Sequence, residues 1–168
     1  MRLQNKIHLL FIVLLTVAFV NAQDKPKSPP ATATGKINGA TITINYSSPS
    51  VRGRVIWGEL VPFNKIWRAG ANAATTIESD KDLIIEGSKL SAGKYSFFVI
   101  PNEKESILIF NKVAKQSGTS NYNENEDQLR VAVKQKATAT NTESLTYSIQ
   151  DNSIVLSWEK WNIPFSVK

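Results

Sequence analysis

Alternation between apolar and polar positions is the dominant pattern along this chain. In Ala40-Thr41-Ile42-Thr43-Ile44-Asn45-Tyr46, residues Ile42, Ile44 and Tyr46 fall on one side and Thr41, Thr43 and Asn45 on the other. That is the period-two signature of a half-buried strand. Asn38-Gly39 stands just ahead of it. Both residues tolerate positive φ, so they predict a tight hairpin turn with a partner strand around 32–37. The same alternation recurs at Leu129, Val131 and Val133, then at Leu145, Tyr147 and Ile149. After the two-residue turn Asp151-Asn152 it returns at Ile154, Leu156 and Trp158.

Shorter strands are predicted over 75–79, 83–86 and 106–110, with a closing piece at 165–167. Tyr95 to Ile100 is apolar on both sides, which predicts a central strand covered on both faces. There is no long amphipathic helical pattern and no internal repeat. Nine or ten short strands with turn signals between them predict a mainly β fold. The expected form is a two-sheet antiparallel β-sandwich, with jelly-roll-like and barrel-like variants left open.

Two stretches break the rhythm. Residues 47–73 hold Ser48-Pro49-Ser50, Arg52-Gly53-Arg54, Val61-Pro62 and Ala69-Gly70. They predict a long irregular loop, with short helical or strand pieces at 55–60 and 64–68. So long an excursion within a compact domain is usually functional or held by its own packing. Residues 111–127 are polar and loop-like.

The N-terminus alternates with nothing. Arg2 and Lys6 precede a twelve-residue apolar run, Leu9 to Val20, broken only by Thr16, and Val20-Asn21-Ala22 follows. That order is a secretory leader with its cleavage site, predicted between Ala22 and Gln23. The run is short of the ~20 residues a bilayer span needs. No cysteine flanks the cut, so a lipid anchor is not expected. The expected organisation is a signal peptide at 1–22, an extended or disordered lead-in at 23–34 and one β domain at 35–168. Pro26, Pro29 and Pro30 keep the lead-in from being helical. The expected location is periplasmic or extracellular.

Composition then narrows the chemistry. Of 20 basic residues, Arg2 and Lys6 lie in the leader, which leaves 18 against 14 acidic ones and a mature charge of +4. No dense basic stretch appears, so nucleic acid is not expected as a partner. The one histidine, His8, lies in the leader, and cysteine is absent. Without imidazole or thiol there is no Ser-His-Asp triad, no Cys-His pair and no favoured zinc ligand set. No cofactor or metal is expected. Any chemistry falls to carboxylates, lysine, tyrosine or an oxygen-bound ion.

The irregular region carries one resemblance. The string Ala40-Thr41-Ile42-Thr43-Ile44-Asn45-Tyr46-Ser47-Ser48-Pro49-Ser50-Val51-Arg52-Gly53-Arg54 leads to Leu60-Val61-Pro62-Phe63. Trp67-Arg68-Ala69-Gly70-Ala71-Asn72-Ala73-Ala74-Thr75 and Leu90-Ser91-Ala92-Gly93-Lys94-Tyr95-Ser96-Phe97 follow. From Ser28 to the C-terminus the chain resembles the exported bacterial family called "domain of unknown function 2911", common in Bacteroidetes. The resemblance implies an exported β-sandwich-like domain and no activity.

Four constellations are candidates for a site. Arg52, Arg54 and Arg68 offer rigid guanidinium forks for a carboxylate, phosphate or sulfate, with Gly53, Gly70 and Asn72 beside them. The structural alternative has Arg54 or Arg68 paired with Glu159, Glu78 or Asp80, pinning the loop to the sheet. Trp57, Trp67, Trp158 and Trp161 offer stacking faces, against a core role; Trp161 is expected to be the most exposed. Asn121 to Asp127 alternates oxygen side chains as a calcium loop would, but lacks the EF-hand glycine and distal glutamate, so a solvated acidic loop is expected. Glu78, Asp80 and Glu159 are the carboxylates available for glycoside hydrolysis.

The combined expectation is a non-catalytic binding or structural module of the cell envelope. Its ligand-facing residues are Arg54, Trp67, Arg68, Asn72, Thr75 and Glu159, and its ligand an anion, a sugar or an envelope protein. The alternative is a carbohydrate-active protein using acidic residues and tryptophans.

Overall fold

The computed structural model describes residues 26–168. The leader and its cleavage site, with residues 23–25, lie outside the described residues. Ten strands follow in order: β1 (Pro30–Ile37), β2 (Ala40–Ser47), β3 (Thr75–Ser79), β4 (Leu83–Ile85), β5 (Ser88–Leu90), β6 (Gly93–Ile100), β7 (Ser106–Asn111), β8 (Asp127–Val133), β9 (Lys136–Gln150) and β10 (Ser153–Ser166). A single 3-10 turn spans Glu124–Glu126.

One layer is a six-stranded antiparallel sheet in the order β1-β2-β3-β6-β7-β8. The other is made of two hairpins, β4–β5 and β9–β10. They meet where Ile84 N–H donates to Lys168 O (2.7 Å) and Lys168 N–H to Ile84 O (3.0 Å). Together the two layers form a sandwich, not a closed barrel. At Asn38-Gly39 both φ angles are positive, 49° and 77°, as the hairpin turn requires.

Alternating side chains fill the space between the layers. Ile42, Ile44, Ile77, Phe97, Val99, Leu108 and Phe110 from the first sheet meet Leu145, Tyr147, Leu156, Trp158, Ile163 and Phe165 from the second. At the β1–β9 edge the approach is close enough to require glycine. A Cβ on Gly35 would stand 2.7 Å from Ile149 Cγ2. Strand β6 is buried on both faces, as its double apolar run predicts. On its outer side Phe98 joins Ile109 and Ala74, with Ile66 and Tyr122 brought in by the two long loops.

Several local expectations change. Pro30 to Thr34, read as lead-in, form the first half of edge strand β1. The pieces expected at 55–60 and 64–68 are not regular elements; isolated bridges Trp57–Val61 and Trp67–Val99 take their place. Strand β9 begins at Lys136, nine residues before the alternation starts. Residues 136–144 are polar on both sides, and their pairing to β10 shifts register twice around Glu159. The closing piece at 165–167 is the end of β10 rather than a strand of its own.

Candidate functional site

The loop between β2 and β3 crosses from one layer to the other. Beyond Ser47 it leaves β2 and runs beside β9. Val51 N–H donates to Glu143 O (2.8 Å) and Leu145 N–H to Pro49 O (2.9 Å). It then returns along β6, exchanging two hydrogen bonds between Trp67 and Val99 (2.8 and 2.9 Å). This path leaves a gap at one end of the sandwich. The gap is a cavity of about 360 Å³ lined by both flanks of the loop, by Lys27 and Ser28 of the lead-in, and by Trp158 of β10.

The Trp67–Thr75 segment is bolted down by its own side chains. Trp67 Nε1–H donates to Gly70 O (3.1 Å). Ala69, at φ 52°, accepts at its carbonyl from Thr75 Oγ1 (2.9 Å) and from Tyr147 Oη (2.7 Å). Those two hydroxyls come from opposite sheets, so one carbonyl is fixed by both layers. Complete burial of the Tyr147 phenol holds its pKa well above the usual tyrosine range. Gly70 allows the close approach, since a Cβ there would lie 2.9 Å from Thr75 Oγ1 and 3.0 Å from Ser47 O. Asn72, at φ 58°, donates through Nδ2 to Ser47 Oγ (3.2 Å). The backbone between these bolts presents Arg68 to the cavity.

Electrostatically the cavity is one-sided. Lys27, Arg52, Arg54 and Arg68 line it, and among the described residues no carboxylate does. Arg54 is oriented by carbonyls: Nε–H reaches Val51 O (3.0 Å) and Nη2 reaches Ser50 O (2.5 Å). Arg52 donates through Nη2 to Lys27 O (2.6 Å). Neutral carbonyls fix direction without cancelling charge. The nearest recorded carboxylate contact is Glu143, which accepts from the Arg52 backbone N–H (2.9 Å) and not from its guanidinium. Arg68 Nε–H is buried with no partner among the described residues, as is the indole N–H of Trp158, which is 1% exposed.

The structural alternative of paired arginines is therefore corrected. Among the described residues none of the three arginines forms an ion pair. Glu78 pairs with Lys94 (3.2 Å). Asp80 accepts from the Thr41 backbone N–H (2.7 Å), and chiefly that bond lowers its pKa. Glu159 turns onto the N–H of Lys160 (2.7 Å). These three carboxylates sit on two different sheets and do not face one another across the cavity.

Of the residues expected at the site, Arg54, Trp67, Arg68 and Asn72 line the cavity. Thr75 sits behind it, holding Ala69. Glu159 is absent from the lining. The tryptophans form one cluster: Trp67 stacks on Trp158 (5.8 Å), Trp57 on Trp161 (4.6 Å), and Trp57 meets Trp67 edge-on. Trp161, expected to be exposed, is half-buried between Trp57 and Phe63. Sequence reasoning missed Lys27 and Ser28, whose place depends on the lead-in folding back. No local signal marks either. Trp158, favoured as core, is core at 1% exposure and also borders the cavity.

The acidic stretch Asn121 to Asp127 spends its oxygens internally. Asp127 accepts from Tyr122 Oη (2.6 Å), Arg130 Nε (2.8 Å) and Asn111 Nδ2 (2.8 Å). Glu126 faces Lys112 (3.7 Å). Asp127 and Glu126 are thus tied into the fold, while Asn121, Asn123, Glu124 and Asn125 are exposed, as a solvated acidic loop predicts. Among the described residues no group of three or more acidic or imidazole side chains is placed to hold a metal.

A family model described as "Protein of unknown function (DUF2911)" matches residues 28–167. No curated protein and no solved structure matches the chain.

Proposed function

The chain belongs to the DUF2911 family, and from that premise we propose that it is an exported, non-catalytic module that binds a small organic anion in the cavity between Arg52 and Asn72. One observation carries the reading. Three guanidiniums and an ammonium line the same cavity with no carboxylate among the described lining residues, and two of the guanidiniums are aimed by backbone carbonyls. A cluster left un-neutralised and pre-oriented is what anion recognition needs. The cavity is several times larger than one inorganic ion requires and falls in the size range of small-molecule sites.

A neutral sugar is less well served. Its hydroxyls need acceptors as well as donors, and the charged lining supplies only donors. The tryptophan faces are taken up by one another. Hydrolysis by a carboxylate pair has no pair here. The apolar run at 9–20 and the small residues at 20–22 support export to the periplasm or the medium.

The test takes protein recovered from outside the cytoplasm, with Gln23 expected as its first residue. It is titrated at low ionic strength with carboxylates, sugar acids and neutral sugars, and followed by thermal shift and calorimetry. Anions should raise the melting temperature, 1 M chloride should suppress the rise, and neutral sugars should leave it unmoved. A shift from neutral sugars alone would overturn the reading.

A further inference from the structure

We infer that the bound anion is an amphiphile, one acidic group joined to a short hydrocarbon or ring that lies against Leu60; this rests on the anion-binding reading above. The cavity offers two kinds of surface. Its cations are Lys27, Arg52 and Arg54, all exposed, and the half-buried Arg68. Leu60 lines the same cavity and is 45% exposed. Val61, Trp67 and Trp158 also border it, but at 9% exposure or less they belong to the core. Among the described residues Leu60 is therefore the large apolar side chain that the lining leaves open.

A leucine left open on a protein surface is ordinary. This one is held in place beside the cations. The turn over 55–61 is closed by backbone bonds from Leu60 N–H to Val55 O (3.3 Å), Val61 N–H to Ile56 O (2.9 Å) and Gly58 N–H to Val61 O (3.0 Å). Gly58 sits at φ 90°, where a Cβ would stand 3.0 Å from the Phe63 ring. Ile56 and Val61 are buried in the core, and Trp57 stacks on Trp161. The turn buries its other apolar side chains and presents Leu60 to the cavity. Val55 is 56% exposed on the same turn and lies outside the lining.

Charge and apolar surface in one cavity select the ligand together. An inorganic ion would leave Leu60 wet, and a cavity of about 360 Å³ is larger than such an ion fills. A polyhydroxylated acid would set hydroxyls against a side chain that returns no hydrogen bond for the water they give up. An alkyl or aryl carboxylate, sulfate or phosphate meets both demands. Its acid takes the guanidinium donors, and its hydrocarbon and Leu60 remove apolar area from water on each other. A lipid bilayer would meet Val55 and Leu60 alike, whereas a ligand inside the concave site meets Leu60 alone.

The experiment titrates the exported protein at low ionic strength with acetate, butanoate, hexanoate, gluconate, hexanol and inorganic phosphate, followed by NMR. Affinity should rise along the unsubstituted acids, with hexanoate about tenfold tighter than acetate. Gluconate has the chain length and charge of hexanoate but carries hydroxyls, and it should bind no tighter than acetate. Leu60→Ser should flatten the series, and Val55→Ser should leave it as it is. A flat series in the wild type, gluconate matching hexanoate, or a series that survives Leu60→Ser would overturn the apolar contact and leave the anion-binding reading standing. Hexanol matching hexanoate, or no response to any acid or to phosphate, would bring down both. Sedimentation with phosphatidylglycerol vesicles separates the two sources of an anionic amphiphile. Capture weakened by Leu60→Ser and Val55→Ser alike would make the turn a membrane contact and overturn the small ligand.

Discussion

Two long irregular segments interrupt this sandwich, and they treat charge in opposite ways. The Asn111–Asp127 loop turns most of its polar groups onto itself, although the buried Gln116 Oε1 has no partner among the described residues. Asp127 alone receives three side-chain donors, and Gln116 gives its amide N–H groups to Ser96, Asn111 and Val113. The Ser47–Ala73 loop spends its side-chain hydrogen bonds on fixing backbone, and leaves three arginines without a counter-charge. Polarity that serves the fold is satisfied internally, because unsatisfied groups cost stability. Polarity left open and held rigid has its partner elsewhere. Length and irregularity alone do not separate the two loops.

The largest expected effect comes from breaking the closed loop. Asp127 is 6% exposed in its side chain and is the acceptor for Tyr122, Arg130 and Asn111. Asp127→Ala takes one of the two acceptors from the fully buried Asn111 amide, which keeps Asn123 O, and the only acceptor from a half-buried phenol. The expected loss is about 3 kcal/mol of unfolding free energy, read by urea titration. Anion affinity at the other loop should be untouched, since the two networks share no residue. A loss under 1 kcal/mol would mean the network is not a structural one and the contrast is false.

Much of this arrangement was legible in the residues, and the failures have physical causes. Alternation placed β2, β8 and the first part of β10, because one buried face forces period two, and the doubly apolar run placed β6. The first half of β9 escaped, since residues 136–144 bury nearly nothing and threonine suits either face. Arg54, Arg68 and Asn72 stood out because glycine-rich backbone beside arginine is unusual chemistry within a β domain. Lys27 could not, as its position follows from contacts distant in sequence: Arg52 Nη2 donates to Lys27 O and Ser48 N–H to Pro29 O. Glu159 was drawn in as a carboxylate able to pair with Arg54 or Arg68, but its side chain turns onto the Lys160 N–H. It sits at an irregularity of β10, at φ 53° with a register shift on each side, which period-two reading cannot foresee.

A smaller effect follows from titration. Burial, and then the bond to Asp127, push the Tyr122 phenol up to about 12. Burial also raises Tyr95 and Tyr147. Each folded value lies above the unfolded one, near 10. The unfolded chain therefore releases these protons first. The stability they contribute is fully present below pH 10 and drains away as pH rises from about 10 to 12. The melting temperature should stay level up to pH 10 and then fall, and Tyr122→Phe should make the fall shallower. A wild-type curve and a Tyr122→Phe curve of the same slope would separate Tyr122 from the network.

The smallest expected effect is the most telling for the open loop. Arg68 makes no ion pair among the described residues and hides an unpartnered Nε–H. Arg68→Met keeps the aliphatic stem in place and removes both the charge and the orphan donor. Without ligand, stability should change by less than about 1 kcal/mol and in the stabilising direction, because one of several like charges is gone. Added salt should shrink the gain by screening the repulsion that remains in the wild type. Had the guanidinium been paired to a carboxylate, the same change would leave a stranded charge and a loss of several kcal/mol. A clear drop in unfolding free energy at low salt would therefore show that Arg68 has a counter-charge in solution, and the cavity would cease to differ from the loop that closes on itself.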